Sequence, residues 1–192
     1  PYLFFKGALW PLPPISVAIV GARECTDAGW RFAKTLAREL AAAGVVVISG
    51  GARGIDTAAH KGALEAGGHT AIVTATGLDR VYPPESELLF AEVERRGAII
   101  TELLPGTPPR RDFFPTRNRI IVGLSDAVVI VEGRPKSGTY SSARHARKLG
   151  RPIFTWTGSP HRELSELPSV LVKEGASVLA KPERSSLLSC IK

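Results

Sequence analysis

The sequence has no methionine, only two cysteines, and no apolar run of the roughly 20 residues that a membrane-spanning helix needs. We therefore expect no membrane partner. The first 14 residues hold four prolines and lack the basic segment and uninterrupted apolar stretch of a signal peptide. Cys25 and Cys190 form no CxxC motif, which predicts a reduced, cytoplasmic setting. Because position 1 is not methionine, we expect the sequence to be part of a longer chain.

Sequence patterns of several common activities are also absent. The four histidines form no HxxxH or HExxH pair, so no metal site is expected. There is no GxxxxGK[ST] phosphate loop, no GxSxG nucleophile motif, and no GxGxxG after the first predicted strand. Ser49 ends the second predicted strand, where a dinucleotide-binding fold has an acidic residue. We therefore predict no catalytic residue, no metal and no cofactor.

Acidic residues are scarce in one stretch of the chain. Between Arg110 and Arg151, ten Lys and Arg residues are accompanied by only three acids, and this excess equals the net charge of +7 of the whole sequence. The stretch also contains Phe113, Phe114 and the loop 136–139. Cations, stackable rings and free backbone N–H groups are what a polyphosphate strand requires. We therefore favour a nucleic-acid partner over a merely solvated surface.

Hydrophobic periodicity predicts alternating strands and helices. Buried strands are expected at 17–20, 45–48, 70–74, 98–101, 127–131 and 153–156, and helices at 27–43, 54–66, 85–96, 116–124 and 140–149. Strand–helix units with short connections predict an α/β fold with a doubly wound, mostly parallel sheet and three layers, α/β/α.

We expect a single domain with two appendages. Residues 1–14 form an N-terminal segment with an edge strand at 2–5, residues 15–160 form the core, and residues 161–192 extend the same domain with one helical turn around 168–174. Asp27 is predicted to cap the first helix.

Three glycine-containing loops follow predicted strands. The carboxyl ends of parallel strands meet at one edge of a sheet, and helix N-termini there favour anions. Each loop also carries a cation, which a tight turn does not need. The loops and their predicted phosphate contacts are 21–23 with Gly21 and Arg23, 49–56 with Gly51 and Arg53, and 134–139 with Lys136, Ser137 and Gly138. Arg53 remains open between phosphate and an ion pair with Asp56.

The segment 110–121 mixes cations with rings. Arg111 precedes the predicted helix and is favoured as a ligand contact, whereas Phe114 suits either the core or a stacked base. Of Arg117 and Arg119, one is expected to brace the glycine loops through carbonyl groups and the other to reach phosphate. The carboxylates of Asp56 and Asp79 are expected to cap loops rather than to catalyse.

Four motifs together resemble the DNA-processing protein A (DprA/Smf) family. They are VAIVGAR (17–23), SGGARGIDTAAH (49–60), GLDRVYP (77–83) and FPTRNRII (114–121), within a match from about Leu3 to Ala180. The resemblance implies an extended Rossmann-like fold, a homodimer, and sequence-tolerant binding of single-stranded DNA. It further implies protection of incoming DNA during natural transformation and loading of the RecA recombinase, with no known enzymatic activity.

The resemblance also implies roles for individual residues. Arg23 would bind phosphate, Arg111 and Phe114 would flank the strand, and Lys136, Ser137 and Gly138 would complete the pocket. Two departures from the family are Ala22 in place of a common Ser and Gly51 in place of a commoner Leu. The predicted nucleic-acid-binding residues are Gly21, Arg23, Gly51, Arg53, Arg111, Phe114, Arg117, Asn118, Lys136, Ser137 and Gly138.

Two other functions remain as alternatives. Phosphoribohydrolases of the lysine-decarboxylase-like group resemble this fold and use a GGxGTxxE motif, but aligning it on Gly138 and Thr139 puts Ser142 at the glutamate position. A hydroxyl group cannot replace that carboxylate, so this alternative ranks second. The third possibility is a protein-interaction platform, with the apolar segments 167–172 and 187–191 as candidate dimer surfaces.

Overall fold

Eight strands form one sheet in the part of the chain that the computed structural model describes, which is residues 2–9, 12–13 and 15–191 without the side chain of Ser186. The strands are β1 (Phe4–Gly7), β2 (Ser16–Val20), β3 (Val46–Ser49), β4 (Thr70–Val73), β5 (Ala98–Thr101), β6 (Ala127–Ile130), β7 (Ile153–Thr155) and β8 (Ser177–Val178). Their spatial order is β1-β5-β4-β3-β2-β6-β7-β8, and only β1 pairs antiparallel to its neighbour. The predicted mostly parallel sheet is confirmed.

Helices cover both faces of this sheet. They are α1 (Asp27–Ala42), α2 (Ile55–Glu65), α3 (Glu87–Arg96), α4 (Phe113–Gly123), α5 (Gly138–Lys148), α6 (Arg162–Lys173) and the short α7 (Ser185–Leu188). Alternate strand residues point to opposite faces, so Val17 packs with α1 and α2 whereas Ala18 packs with α4 and α5. The three-layer, doubly wound Rossmann-like fold that we expected is therefore confirmed.

The central strands read as continuous apolar runs because both of their faces are covered. Every residue of β2, β3, β4, β5 and β6 is buried. Val17 of β2 lies opposite Val47 of β3 on one side and opposite Ala127 of β6 on the other. This continuous core fixes the register of the sheet and holds the loops at its edges in place.

The order in which strands are added to the sheet reverses at β2, although the strands stay parallel. From β2 the strands proceed outward through β3, β4 and β5, and the chain then returns to place β6 on the other side of β2. The loops that leave β2 and β6 therefore diverge and open a crevice at the carboxyl edge of the sheet. In the part of the chain that the structure describes, none of the helices combines the length and the hydrophobicity of a transmembrane segment.

The ends of several elements differ from the expectation. The cap of α1 is Thr26 rather than Asp27, because Thr26 is the last extended residue and its Oγ1 accepts the amide of Gly29 at 3.0 Å. Both α4 and α5 begin earlier than predicted, at Phe113 and Gly138. The edge strand lies at 4–7 rather than 2–5. Pro1, Trp10, Pro11 and Pro14 of the predicted N-terminal segment are outside the described residues, as is Lys192.

The C-terminal region is more regular than expected. In place of one helical turn, α6 extends over 12 residues with Pro168 inside it. Leu164, Leu167 and Leu171 recur at helical spacing and are buried, and Leu167 and Leu171 belong to the core on one face of the sheet. After α6 the chain forms β8, which pairs with β7 and is the last strand at that edge of the sheet.

Candidate nucleic-acid interface

A pocket of about 700 Å³ opens at the crevice between the carboxyl ends of β2 and β6. Loops that are distant along the chain meet there because the parallel strands all deliver them to the same edge. Eight of the predicted residues line this pocket: Gly21, Arg23, Arg111, Phe114, Arg117, Asn118, Ser137 and Gly138. The predicted convergence of these segments is therefore present in the fold.

The other three predicted residues lie beside the pocket. Arg53 lines a smaller adjoining cavity together with Arg23 and Phe114. Lys136 is exposed next to Ser137, but it does not line either cavity. Gly51 is buried under the loop with φ of 69°, and a Cβ atom there would lie 2.9 Å from the side chain of Ile72. Glycine at position 51 therefore suits both the turn and its packing in this chain.

A cation and two rings cluster at the pocket. The guanidinium carbon of Arg23 lies 4.7 Å from the ring centroid of Phe114, which is a cation–π distance. The centroid of the Tyr82 ring lies 5.5 Å from that of Phe114, with an angle of 48° between the planes. Arg23 is exposed, whereas both rings are half-buried. The cluster offers both a positive charge and an aromatic surface to a ligand.

Arg117 is the arginine that braces the loops. Its side chain is buried, and its Nη1 donates to the carbonyl oxygen of Gly50 at 2.6 Å and to that of Val73. Burial lowers its pKa to about 10, and the nearby Asp56 opposes this shift. Arg117 thus stays charged at neutral pH and ties α4 to the ends of β3 and β4. The other candidate, Arg119, forms an ion pair with Glu102.

Asp56 holds the second glycine loop from inside. Its Oδ2 accepts the amides of Gly50 at 3.1 Å and Ala52 at 3.4 Å, as expected of a loop-capping carboxylate. Burial raises the pKa of this carboxyl group, and the charge of Arg117 opposes the rise. The suggested pair of Arg53 with Asp56 is wrong. Arg53 is exposed and pairs with Glu85 instead, since the Asp56 side chain turns inward to the loop amides.

Asp79 also has the predicted capping role. Its two carboxylate oxygens accept the amide of Gly106 at 2.8 and 2.9 Å, and these bonds lower its pKa. The bond joins the loop after β4 to the loop after β5. The carboxylate is therefore engaged in holding a loop rather than directed at the pocket.

The first turn of α5 is fastened from two sides. The Asn118 amide nitrogen donates to the carbonyl of Gly138 and to Oγ of Ser141, both at 3.0 Å. Oγ1 of Thr139 donates to the carbonyl of Gly21 at 3.2 Å. These bonds link α5 to α4 and to the loop after β2. The N-terminus of α5 is thereby held facing the pocket.

Two hydroxyl groups in this wall have no hydrogen-bond partner among the described residues. They are Oγ of Ser137, which precedes α5, and Oγ of the fully buried Ser142. Both residues line the pocket. Buried polar atoms are nearly always paired in folded proteins, so an orphaned hydroxyl at a pocket wall indicates a place for a ligand atom. Together with the N-terminus of α5 they suit an anion.

Sequence reasoning missed some residues of the pocket. From the sequence, Ser142 was considered only as the position at which a catalytic glutamate is absent, and Tyr82 only as part of a family motif. Both residues line the pocket. The spacing of Ser142 from Gly138, one helical turn, was the available signal for its position above the N-terminus of α5. Nothing in the sequence indicated that Tyr82 would meet Phe114.

Comparison with protein families gives one match over almost the whole chain. The model of the family described as DNA recombination-mediator protein A matches residues 1–188. Similar sequences include protein Smf of Synechocystis sp., 40% identical over 163 residues, and protein Smf of Escherichia coli K12, 39% identical over 182 residues. DNA processing protein DprA of Streptococcus pneumoniae is 38% identical over 177 residues.

These relatives are longer than the chain. Their alignments cover 85%, 94% and 92% of the chain but only 41%, 49% and 62% of the respective relative. The chain therefore spans about half the length of the curated relatives it matches.

Solved structures agree with the sequence comparison. The chain matches DprA of Streptococcus pneumoniae with a TM-score of 0.90 and 34% identity, over 99% of this chain and 66% of that one. It matches DNA processing protein A of Helicobacter pylori, solved for its unique single-stranded DNA binding mode, with a TM-score of 0.89 and 33% identity, over 99% and 88%. A molybdenum cofactor carrier protein of Chlamydomonas reinhardtii, at 21% identity and a TM-score of 0.62, shares the fold alone.

Proposed function

Because the chain belongs to the DNA recombination-mediator protein A family, we propose that its pocket binds single-stranded DNA without sequence preference. One observation carries the proposal: Arg23, Phe114 and the N-terminus of α5 at Gly138 line a single pocket although they are far apart in sequence. A cation, a ring and a helix N-terminus are the three groups that a phosphate–sugar–base unit needs.

Phosphate contacts supply most of the binding free energy in this proposal. Arg23 and Arg111 are exposed, and neither forms an ion pair with a described residue. The hydroxyl groups of Ser137 and Ser142 gain an acceptor when a phosphate oxygen approaches the first turn of α5. Contacts of this kind read the backbone and carry no sequence information.

The Phe114 ring supplies the contact to a base or sugar. It contacts both Arg23 and Tyr82, and these contacts restrict its orientation before the strand arrives. Every base has an aromatic face, which makes stacking tolerant of sequence. Phe114 therefore adds affinity without selecting among bases.

Arg117, Asn118 and Asp56 have a different part in this proposal. Their polar atoms are engaged with the backbone and side chains of the surrounding loops, so we assign them as positioning residues. They keep the glycine loops and α5 in the binding geometry before the ligand arrives. Such preorganisation reduces the entropy that binding would otherwise cost.

The proposed biological role is to protect incoming single-stranded DNA in natural transformation and to help load the RecA recombinase on it. The family membership supports this role, as do the relatives named DNA processing protein DprA. We further propose that the chain acts in the cytoplasm as a homodimer. Two pockets on one dimer would bind a longer strand more tightly through effective concentration.

We propose a binding function rather than an enzymatic one. A phosphoribohydrolase would need a glutamate where α5 has Ser142, whose hydroxyl group cannot act as a carboxylate base. The buried carboxylate of Asp56 accepts loop amides and is stabilised by Arg117. The nucleotide-processing alternative is therefore not favoured.

Salt dependence of binding to oligo-dT tests this proposal. If about five phosphates are contacted, log K should fall against log salt with a slope of about −3.5 in fluorescence anisotropy. Arg23→Ala should weaken binding and reduce the slope by about 0.7, because one contact is lost. Arg31→Ala, which removes an exposed arginine of α1 outside the pocket, is the matched control. A slope near zero for the parent would contradict the proposal.

A further inference from the structure

Beyond the pocket, α4 and α5 lie side by side on one face of the sheet. Both begin at the pocket, where Asn118 of α4 binds Gly138 and Ser141 of α5. α4 ends where β6 begins, and α5 returns from the end of β6 to the start of the parallel strand β7. Both helices therefore run from the carboxyl edge to the amino edge of the sheet. The surface that the two helices share therefore starts at the pocket.

Two sides of α5 carry different charges. On the flank toward α6, Tyr140 and Arg147 both bind Glu174, at 3.1 and 2.5 Å. On the solvent-facing side of α5, between its two flanks, Arg144 and Lys148 are exposed, and no described residue forms an ion pair with either of them. The flank toward α6 is thus neutralised within the fold, whereas the solvent-facing side of α5 retains its positive charge.

His145 of α5 lies close to several of these cations. Partial burial lowers its pKa, and the charges of Lys148, Arg144 and Arg119 lower it further. In this group only Arg119 has an acidic partner among the described residues, Glu102. Like charges held together repel one another, and an approaching polyanion relieves that repulsion.

We propose that this surface, the α4–α5 groove, carries single-stranded DNA onward from the pocket. The groove is bounded by Thr116, Arg119 and Gly123 of α4 and by Ser141, Arg144, His145 and Lys148 of α5. The inference rests on the proposed function, because the strand must first occupy the pocket. The 11 residues of α5 span about 16 Å, which is room for at most about five nucleotides at about 3.4 Å each.

Arg144 and Lys148 bind phosphates of the strand in this groove. They are one helical turn apart and therefore lie on the same side of α5. Gly123 leaves open space on the α4 side, where no atom lies within 4 Å of the position a Cβ would take. The groove thus offers charge on one side and room on the other, with no group that would select a base.

Binding of short and long oligonucleotides tests the groove. The measurement is anisotropy with oligo-dT of about six nucleotides, which fills the pocket, and of about fifteen, which also reaches the groove. The double variant Arg144→Ala/Lys148→Ala should bind the short strand as the parent does. At about 0.1 M salt it should lose roughly fivefold per contact on the long strand, about 25-fold in all, and its salt slope should fall by about 1.4.

The matched control removes the same charge from the opposite face of the sheet. Arg38→Ala/Lys61→Ala changes exposed residues of α1 and α2 and should bind both strands as the parent does. A gain with length that survives in the groove variant would overturn the groove but leave the pocket standing. Failure of the parent to bind the short strand would overturn both proposals. A blunt duplex that displaces the long strand with equal affinity would overturn the assignment to single strands.

Discussion

Phe113 and Phe114 are neighbours in sequence with different surroundings. The Phe114 ring lies beside Arg23 and Tyr82 in the pocket. The Phe113 ring lies under Arg110, 5.2 Å from its guanidinium carbon, and does not line the pocket. Phe113 is therefore a matched control for the proposed DNA contact of Phe114, because both rings lie at the same helix N-terminus.

We predict that Phe114→Ala weakens oligo-dT binding by about 1–3 kcal/mol, or about 5- to 150-fold, because a stacking surface is lost. The slope against log salt should stay unchanged, since the ring contacts no phosphate. Anisotropy titrations at several salt concentrations measure both quantities. Phe113→Ala is the control and should keep parental affinity. Equal losses in the two variants would contradict the role of Phe114.

The unpaired hydroxyl of Ser142 allows binding to be separated from stability. Ser142→Ala removes no hydrogen bond to a described residue, so the free energy of unfolding should not fall. Binding to oligo-dT should weaken by about 1.5–3 kcal/mol, because a hydrogen bond to a charged phosphate is lost. Chemical unfolding and anisotropy measure the two effects.

Ser125 provides the opposite case. Its buried Oγ donates to the carbonyl of Ile121 at 2.8 Å, outside the pocket. Ser125→Ala should lower the free energy of unfolding by about 1 kcal/mol and leave binding unchanged. If Ser142→Ala instead bound oligo-dT as the parent does, that hydroxyl would have no part in the site.

At the residue scale, the sequence predicted which types of side chain form the site but not their partners. The partner of Arg53 is Glu85, which lies 32 residues away in sequence and approaches only because of the path of two loops. The bracing role fell to Arg117 rather than Arg119 because α4 begins at Phe113 and directs position 117 inward. The sequence limited the bracing role to Arg117 or Arg119, and the position at which α4 begins determines which of the two points inward.

At the scale of elements, α2 is joined to the sheet by a buried histidine. Nδ1 of His60 lies 2.7 Å from Oγ1 of Thr70 in β4, and that hydroxyl donates to the carbonyl of Val47 in β3. Burial lowers the pKa of His60 to about 3, and the charge of Arg117 contributes. The folded protein therefore keeps this ring neutral under conditions in which the unfolded chain protonates it.

This difference predicts how His60 affects stability against pH. Between about 6.5 and about 3, the unfolded state binds a proton that the folded state does not, so stability falls as the pH falls. The contribution reaches about 1.4 kcal/mol per pH unit in that range. His60→Gln should remove this contribution, so the free energy of unfolding of the variant should fall less steeply with falling pH than that of the parent. His69→Gln changes an exposed histidine and should leave the pH dependence unchanged. Parallel curves for the parent and His60→Gln would contradict the argument.

Elements of the sheet were predictable where burial leaves a pattern. The five strands β2 to β6 are continuous apolar runs, and the sequence located them within a residue or two. β8 has two exposed residues and therefore no such pattern. Only the second half of α6 was predicted, as one turn around 168–174, because Pro168 interrupts the periodicity of the helix, although Leu164 and Leu171 on either side of it are buried.

At the scale of the whole molecule, topology brings the site together. Parallel strands put the loops after β2, β3, β4, β5 and β6 at one edge, and this shared edge could be predicted from the strand–helix alternation alone. The α4–α5 groove could not, because it depends on which flank of α5 faces α6 and is neutralised by Glu174. The excess of positive charge was visible in the sequence. The sequence did not show which side of α5 is neutralised by Glu174 and which side keeps its charge.

Photo-crosslinking of an oligonucleotide that carries iodouracil, followed by mass spectrometry of the attached peptides, shows directly whether single-stranded DNA binds in the pocket. The strand should attach to the segments of the pocket, those around Arg23, Tyr82 and Phe114, because these residues lie within one cavity wall. Attachment mainly to α1 and α2, on the other face of the sheet, would show that the pocket is not the binding site for single-stranded DNA.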